Sequence, residues 1–140
     1  MERVLVTGGS RGIGRAVANR MSEDGYRVVN FDLQPPEQLL PGEQFLRVDV
    51  GNEDTLRQAL SEALGSGPIC RLVNNAGVVR PQFIDRVSTD DVRAVMEVNL
   101  TAAIVCTQAL IPGMAQAGYG RIVGSVRISV CEAVESVTQS

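Results

Sequence analysis

The segment Thr7-Gly8-Gly9-Ser10-Arg11-Gly12-Ile13-Gly14 constrains this chain more than any other stretch. It joins an apolar run, Val4-Leu5-Val6, to a helical pattern in which Ile13, Val17 and Met21 recur every four residues beside Ala16, until Gly25 supplies a stop. The apolar run reads as a strand buried on both faces. Gly8 and Gly12 allow tight or positive-φ backbone, and Gly14 lets the helix pack close to the strand. A helix that starts on such a turn presents free N–H groups and partial positive charge. That combination is suited to an anion, in particular a diphosphate.

The alternation continues along the chain. Val28-Val29-Asn30-Phe31 is a second strand closed by Asp32, a loop with Pro35, Pro36 and Pro41 follows, and Phe45 to Val50 is a third strand. Leu56, Ala59, Leu60, Ala63 and Leu64 mark a helix capped by Asn52, which Gly65 to Pro68 break. Leu72-Val73 is a fourth strand entering Asn74-Asn75-Ala76-Gly77. Ser88-Thr89-Asp90-Asp91 opens a helix with a Ser cap and acids in its first turn. Its apolar stripe is Val92, Val95, Met96, Ala103, Cys106 and Leu110, and Arg121-Ile122-Val123 is a fifth strand after the Gly118 stop. Strand and helix in this order predict an α/β fold: a Rossmann-like, doubly wound parallel sheet of about five strands, order 3-2-1-4-5, with helices on both faces.

Asp32 follows Gly8 by 24 residues and ends the second strand, where the adenosine ribose of a dinucleotide would lie. A carboxylate there accepts hydrogen bonds from both ribose hydroxyls, at about 1.5–3 kcal/mol each. A 2′-phosphate would meet like charge, opposed by up to about 4 kcal/mol per unit pair at 4 Å even at an effective dielectric near 20. Arg11 pulls the other way, because a guanidinium in the turn can reach a 2′-phosphate. Contact repulsion outweighs one flexible Arg, so the expected cofactor is NAD, with NADP second.

Composition removes other chemistries. There is no His, and all 13 basic residues are Arg. Ser-His-Asp and Cys-His catalysis, His-ligated zinc, Schiff bases and Walker-type lysines are therefore excluded, and no metal site is expected. A net charge of −3 without a basic stripe argues against nucleic acid. Cys70, Cys106 and Cys131 are an odd number at wide spacings, and read as small apolar residues in a reducing compartment. No signal peptide or membrane-length apolar run is read, so the expected location is cytoplasmic.

Together these residues resemble the short-chain dehydrogenase/reductase family, from Arg3 to about Val123. The glycine turn matches that family's cofactor signature. Asp49-Val50 matches the pair it places beside adenine, and Asn74-Asn75-Ala76-Gly77 matches its motif after the fourth strand. Asn99 in Glu97-Val98-Asn99-Leu100 matches the helical Asn of its catalytic tetrad, and Gly120-Arg121-Ile122-Val123 the opening of its fifth strand. The resemblance implies cofactor contacts at Gly8, Ser10, Arg11, Gly12, Ile13, Gly14, Asp32, Asp49, Val50, Asn75, Ala76 and Gly77. It also implies hydride transfer between NAD(H) and a small alcohol or ketone.

The same resemblance calls for a Ser after the fifth strand, then a Tyr and a Lys four residues beyond it. The only tyrosines are Tyr26 and Tyr119, both upstream, and there is no Lys. Ser125 is the nearest Ser, about two residues early, so Asn99 and Ser125 are the candidate catalytic residues. Residues 1–123 are thus expected to be a Rossmann-type NAD(P)-binding domain, truncated relative to the family, and residues 124–140 a divergent tail. The alternative is a non-catalytic dinucleotide-binding module or fragment. A bare fifth-strand edge and the outer face of the Val92–Leu110 helix are the expected routes to a homo-oligomer.

Overall fold

A computed structural model describes residues 1–76 and 86–125. Five strands, β1 (Arg3–Thr7), β2 (Arg27–Asp32), β3 (Gln44–Arg47), β4 (Arg71–Asn74) and β5 (Arg121–Gly124), form one sheet in the order β3-β2-β1-β4-β5. All four pairings are parallel, in the registers Leu5 with Val29, Leu5 with Leu72, Asn30 with Phe45, and Leu72 with Ile122. This is the expected α/β doubly wound order. β1 is central, and all five of its residues are buried, as an apolar run in a two-sided parallel sheet should be.

Helix α1 (Gly12–Glu23) covers one face, where Val4, Val6 and Val28 meet Ala18. Its buried positions are Gly14 and Ala18, while Ile13 is exposed, so the apolar recurrence at Ile13, Val17 and Met21 lies one step off the most buried line. Only small residues fit where this helix crosses the strands. Helices α2 (Glu53–Leu64) and α4 (Ala102–Ala117) cover the other face, over Leu5, Val29, Phe31 and Leu72. The caps are those expected. Asn52 accepts from Thr55 N–H, and Ser88 and Asp91 form a reciprocal box at the start of α3 (Thr89–Met96). Gly25 and Gly118 take positive φ, 92° and 68°, just past their helices.

Three expectations need correction. β3 stops at Arg47, short of Val50; Val48 N–H still donates to Asp32 O at 3.0 Å, and the chain turns at 50–51. The stripe expected along the fourth helical segment also breaks. A π turn, Glu97–Thr101, links α3 to α4, and its extra residue rotates the two halves against each other. Val98, Ala102, Val105, Cys106, Leu110 and Met114 therefore face the core, whereas Val92 and Met96 are 49% and 53% exposed. Finally, Thr89–Ala117 is long and apolar enough, by length and composition alone, to cross a membrane. Its inner face packs on α2 and β4, while only 22% of the apolar window is buried. Cys70 and Cys106 are free thiols, and Cys131 lies outside the described residues.

Candidate functional site

The carboxyl ends of β1, β2 and β4 open a crevice of about 220 Å³, lined by Gly8, Arg11, Phe31, Asp32, Leu33, Val48, Asp49, Val50, Asn75, Ala76 and Val98. In a parallel doubly wound sheet this end carries the ligand, because the strands deliver their last residues there and the helices begin there. Seven of the residues singled out in the sequence line it: Gly8, Arg11, Asp32, Asp49, Val50, Asn75 and Ala76. Phe31, Leu33, Val48 and Val98 were missed. Each is a neighbour of a residue chosen for its polarity, and adjacency is the signal that would have found them.

The glycine turn is built as its sequence demands. Gly8 and Gly12 take φ of 69° and 56°, where a side chain would be strained. A Cβ at Gly14 would sit 2.0 Å from Gly8 O and 2.5 Å from Asn75 Nδ2, so only hydrogen fits where α1 passes the strand end. Gly8 N–H donates to Phe31 O at 2.7 Å and Gly9 N–H to Asn30 Oδ1 at 3.0 Å. Arg15 N–H, bonded to Arg11 O, is the first of α1 to find a helical acceptor. The Gly12, Ile13 and Gly14 amides ahead of it belong to the group that every helix leaves for a ligand or water. A diphosphate fits that opening.

Asp32 is half-buried at the end of β2. Its carboxylate accepts Ser10 N–H at 3.0 Å and Leu33 N–H at 2.7 Å, which ties the glycine turn to the second strand while the group still lines the crevice. Thr7 Oγ1 accepts the N–H groups of Asn75 and Ala76 at 3.1 and 3.0 Å, and Asn75 Nδ2 donates to Gly8 O at 3.2 Å. The turn after β4 is thereby stitched to the turn after β1. Asp49 spends one oxygen on Gly51 N–H at 2.9 Å. The lining thus offers carboxylates for ribose hydroxyls and apolar surface from Val48, Val50 and Val98 for a base, while the amides suited to phosphate, Gly12 to Gly14, follow the lining residue Arg11 at the start of α1. These donor types suit an adenine dinucleotide.

Other candidates lie apart from the crevice lining. Ser10 is buried in the turn and Ile13 is exposed on α1. Asn99 is half-buried in the π turn, next to the crevice residue Val98. π turns recur at functional sites because they re-aim a side chain. Ser125 is exposed just beyond β5, its N–H bonded to Asn74 O at 2.8 Å, at the same end of the sheet. Gly77 lies outside the described residues. Both tyrosines are at the far end: Tyr26 precedes β2 and Tyr119 precedes β5, and their rings stack on the Arg71 guanidinium at 4.4 and 4.6 Å. Among the described residues, no group of His, Cys, Asp or Glu is arranged to hold a metal.

The comparisons agree with this architecture. The sequence profile of the short chain dehydrogenase family matches residues 2–133. An acetoacetyl-CoA reductase of Shinella zoogloeoides is 35% identical over 130 residues, covering 88% of this chain and 54% of that protein. A 3-oxoacyl-[acyl-carrier-protein] reductase of Synechocystis sp. is 34% identical over 136 residues, covering 89% of this chain and 55% of the relative. A short-chain dehydrogenase of Streptomyces avermitilis superposes with a TM-score of 0.78 at 25% identity, over 88% of this chain and 48% of that one. The chain spans about half the length of these relatives. With sheet order, glycine turn and family profile all in agreement, this chain belongs to the short-chain dehydrogenase family.

Proposed function

We propose that the chain binds a nicotinamide dinucleotide across the ends of β1, β2 and β4, preferring NAD(H) to NADP(H). It would serve as the cofactor half of an oxidoreductase acting on a small alcohol or ketone. The observation that carries the reading is the Asp32 carboxylate, fastened to Ser10 N–H and lining the crevice together with Gly8, Asp49 and Val50. Bound there, the nicotinamide would take or give the hydride. Gly12 to Gly14 would hold the diphosphate, Asp32 the ribose hydroxyls, and Val48, Val50 and Val98 the base.

A second reading, binding without turnover, is favoured by the placement of Tyr26 and Tyr119 on Arg71, at the opposite end of the sheet. Neither phenol can serve a reaction at the crevice, and the 140 residues contain no Lys. Absence of a positioned general acid lowers a rate about 10²–10⁴-fold. Self-association belongs to the same proposal, through the outward stripe of Val92, Met96, Leu100 and Ile104, which are all about half exposed.

Calorimetric titration with NADH and NADPH, paired with turnover assays, tests both readings. Small ketones and the 3-oxoacyl thioesters named for the relatives are the substrates to assay. NADH should bind at least about tenfold tighter than NADPH, with slight turnover. Tighter NADPH binding would reverse the cofactor assignment, and turnover at ordinary dehydrogenase rates would remove the second reading.

A further inference from the structure

Glu43 stands outside the crevice, in the loop before β3, yet its side chain has 0% exposure. A carboxylate is not taken out of water without partners, and this one has four donors. Arg15 Nη2 and Nη1 reach its two oxygens at 2.7 and 3.2 Å, Leu40 N–H donates at 2.7 Å, and Asn30 Nδ2 donates at 3.2 Å. Two of these partners flank the glycine turn. Arg15 sits in the opening turn of α1, just after it. Asn30, fully buried on β2, bonds the turn itself.

The chemistry of the Asn30 amide gives this arrangement its consequence. A carboxylate only accepts, so the NH₂ end of Asn30 must face Glu43. The same NH₂ donates to Ser10 Oγ at 3.0 Å, and the carbonyl end is left to accept Gly9 N–H at 3.0 Å. The fit leaves no slack, since a Cβ at Gly9 would lie 2.7 Å from Asn30 Oδ1. Without the charge at Glu43, an amide flip would set NH₂ against Gly9 N–H, donor against donor. We infer that Glu43 is a positioning residue for diphosphate binding: through Asn30 and Arg15 it fixes the Gly9–Ser10 backbone and the start of α1. It touches neither ligand nor crevice. The inference rests on the dinucleotide reading proposed above.

The test compares wild type with Glu43→Gln in two-dimensional amide NMR, using adenosine, ADP and NADH as probes. ADP and NADH binding should weaken about tenfold in the variant, while adenosine, which lacks the diphosphate, should change less than twofold. Hydrogen exchange of the Gly9 amide, measured without ligand, should accelerate at least tenfold. Equal losses for adenosine and ADP, no loss for either, or unchanged Gly9 exchange would overturn the inference. If wild type binds neither ADP nor NADH, the dinucleotide reading falls, and with it the ligand half of this role. Gly9 exchange still decides the positioning half. Should Glu43→Gln fail to fold, the paired Glu43→Gln/Arg15→Met variant removes both charges of the ion pair together and is read in the same way.

Discussion

On the β3-β2-β1 flank, all five residues of Arg3–Thr7 are buried, and Leu5, Val29 and Phe31 are wholly enclosed. On the other flank, all four residues of β5 are exposed, and so is the outward stripe of α3 and α4. Both flanks carry the same kind of apolar residues, so hydrophobicity alone does not separate them. The difference is that α1 and α2 close over the first flank. Gly8, Phe31, Asp32, Val48 and Asp49 of the crevice hang from that enclosed side, so a ligand held there would rest on buried structure. The open flank contributes Asn75, Ala76 and Val98 to the crevice.

The largest expected contrast is in stability. Leu5→Ala should cost about 2–5 kcal/mol, against less than about 0.5 kcal/mol for Ile122→Ala on β5, both by urea denaturation. Equal costs would erase the distinction between flanks. Asp32→Ala should lower NADH affinity by about 1.5–3 kcal/mol in a calorimetric titration and leave NADPH binding equal or tighter. Asn52→Ala should cost about 1 kcal/mol through the lost bond to Thr55 N–H.

Cys106 sharpens the comparison through pH. Burial pushes its thiol up from 9.0 to about 12, because the thiolate is disfavoured in the core. The folded-state pKa is the higher one, so the associated stability is complete below pH 9 and is lost as pH rises toward 12. Iodoacetamide at pH 8 should therefore spare Cys106 in the folded protein and modify it in urea. The smallest stability effect belongs to Ile104→Asp, within about 0.5 kcal/mol. Its expected signature is a lower sedimentation-derived association constant, and unchanged self-association would remove that face as an interface.

Much of this was legible in the sequence because it is local. The turn Thr7–Gly14 declares its positive-φ positions by glycine, Asp32 is marked by ending an apolar strand, and Asn52 and Ser88 are caps by type and place. What escaped was set by tertiary contacts. Nothing near Glu43 announces a buried ion pair with Arg15, nearly thirty residues earlier, because the loop carrying it must fold against α1 first. The π turn at Asn99 has no periodicity signal of its own, and it misdirected the stripe from Val92 onward. Tyr26 and Tyr119 gave no sign of meeting on Arg71, since three strands bring them together.

Amide shift mapping with NADH decides whether the dinucleotide sits at the ends of β1, β2 and β4. Saturable shifts are expected at Gly9, Ser10, Gly12, Asp49 and Ala76 at sub-millimolar ligand, with Arg71 and Arg121 at the far end of the sheet unmoved. Shifts confined to the α4 stripe or β5, or none up to millimolar NADH, would contradict it.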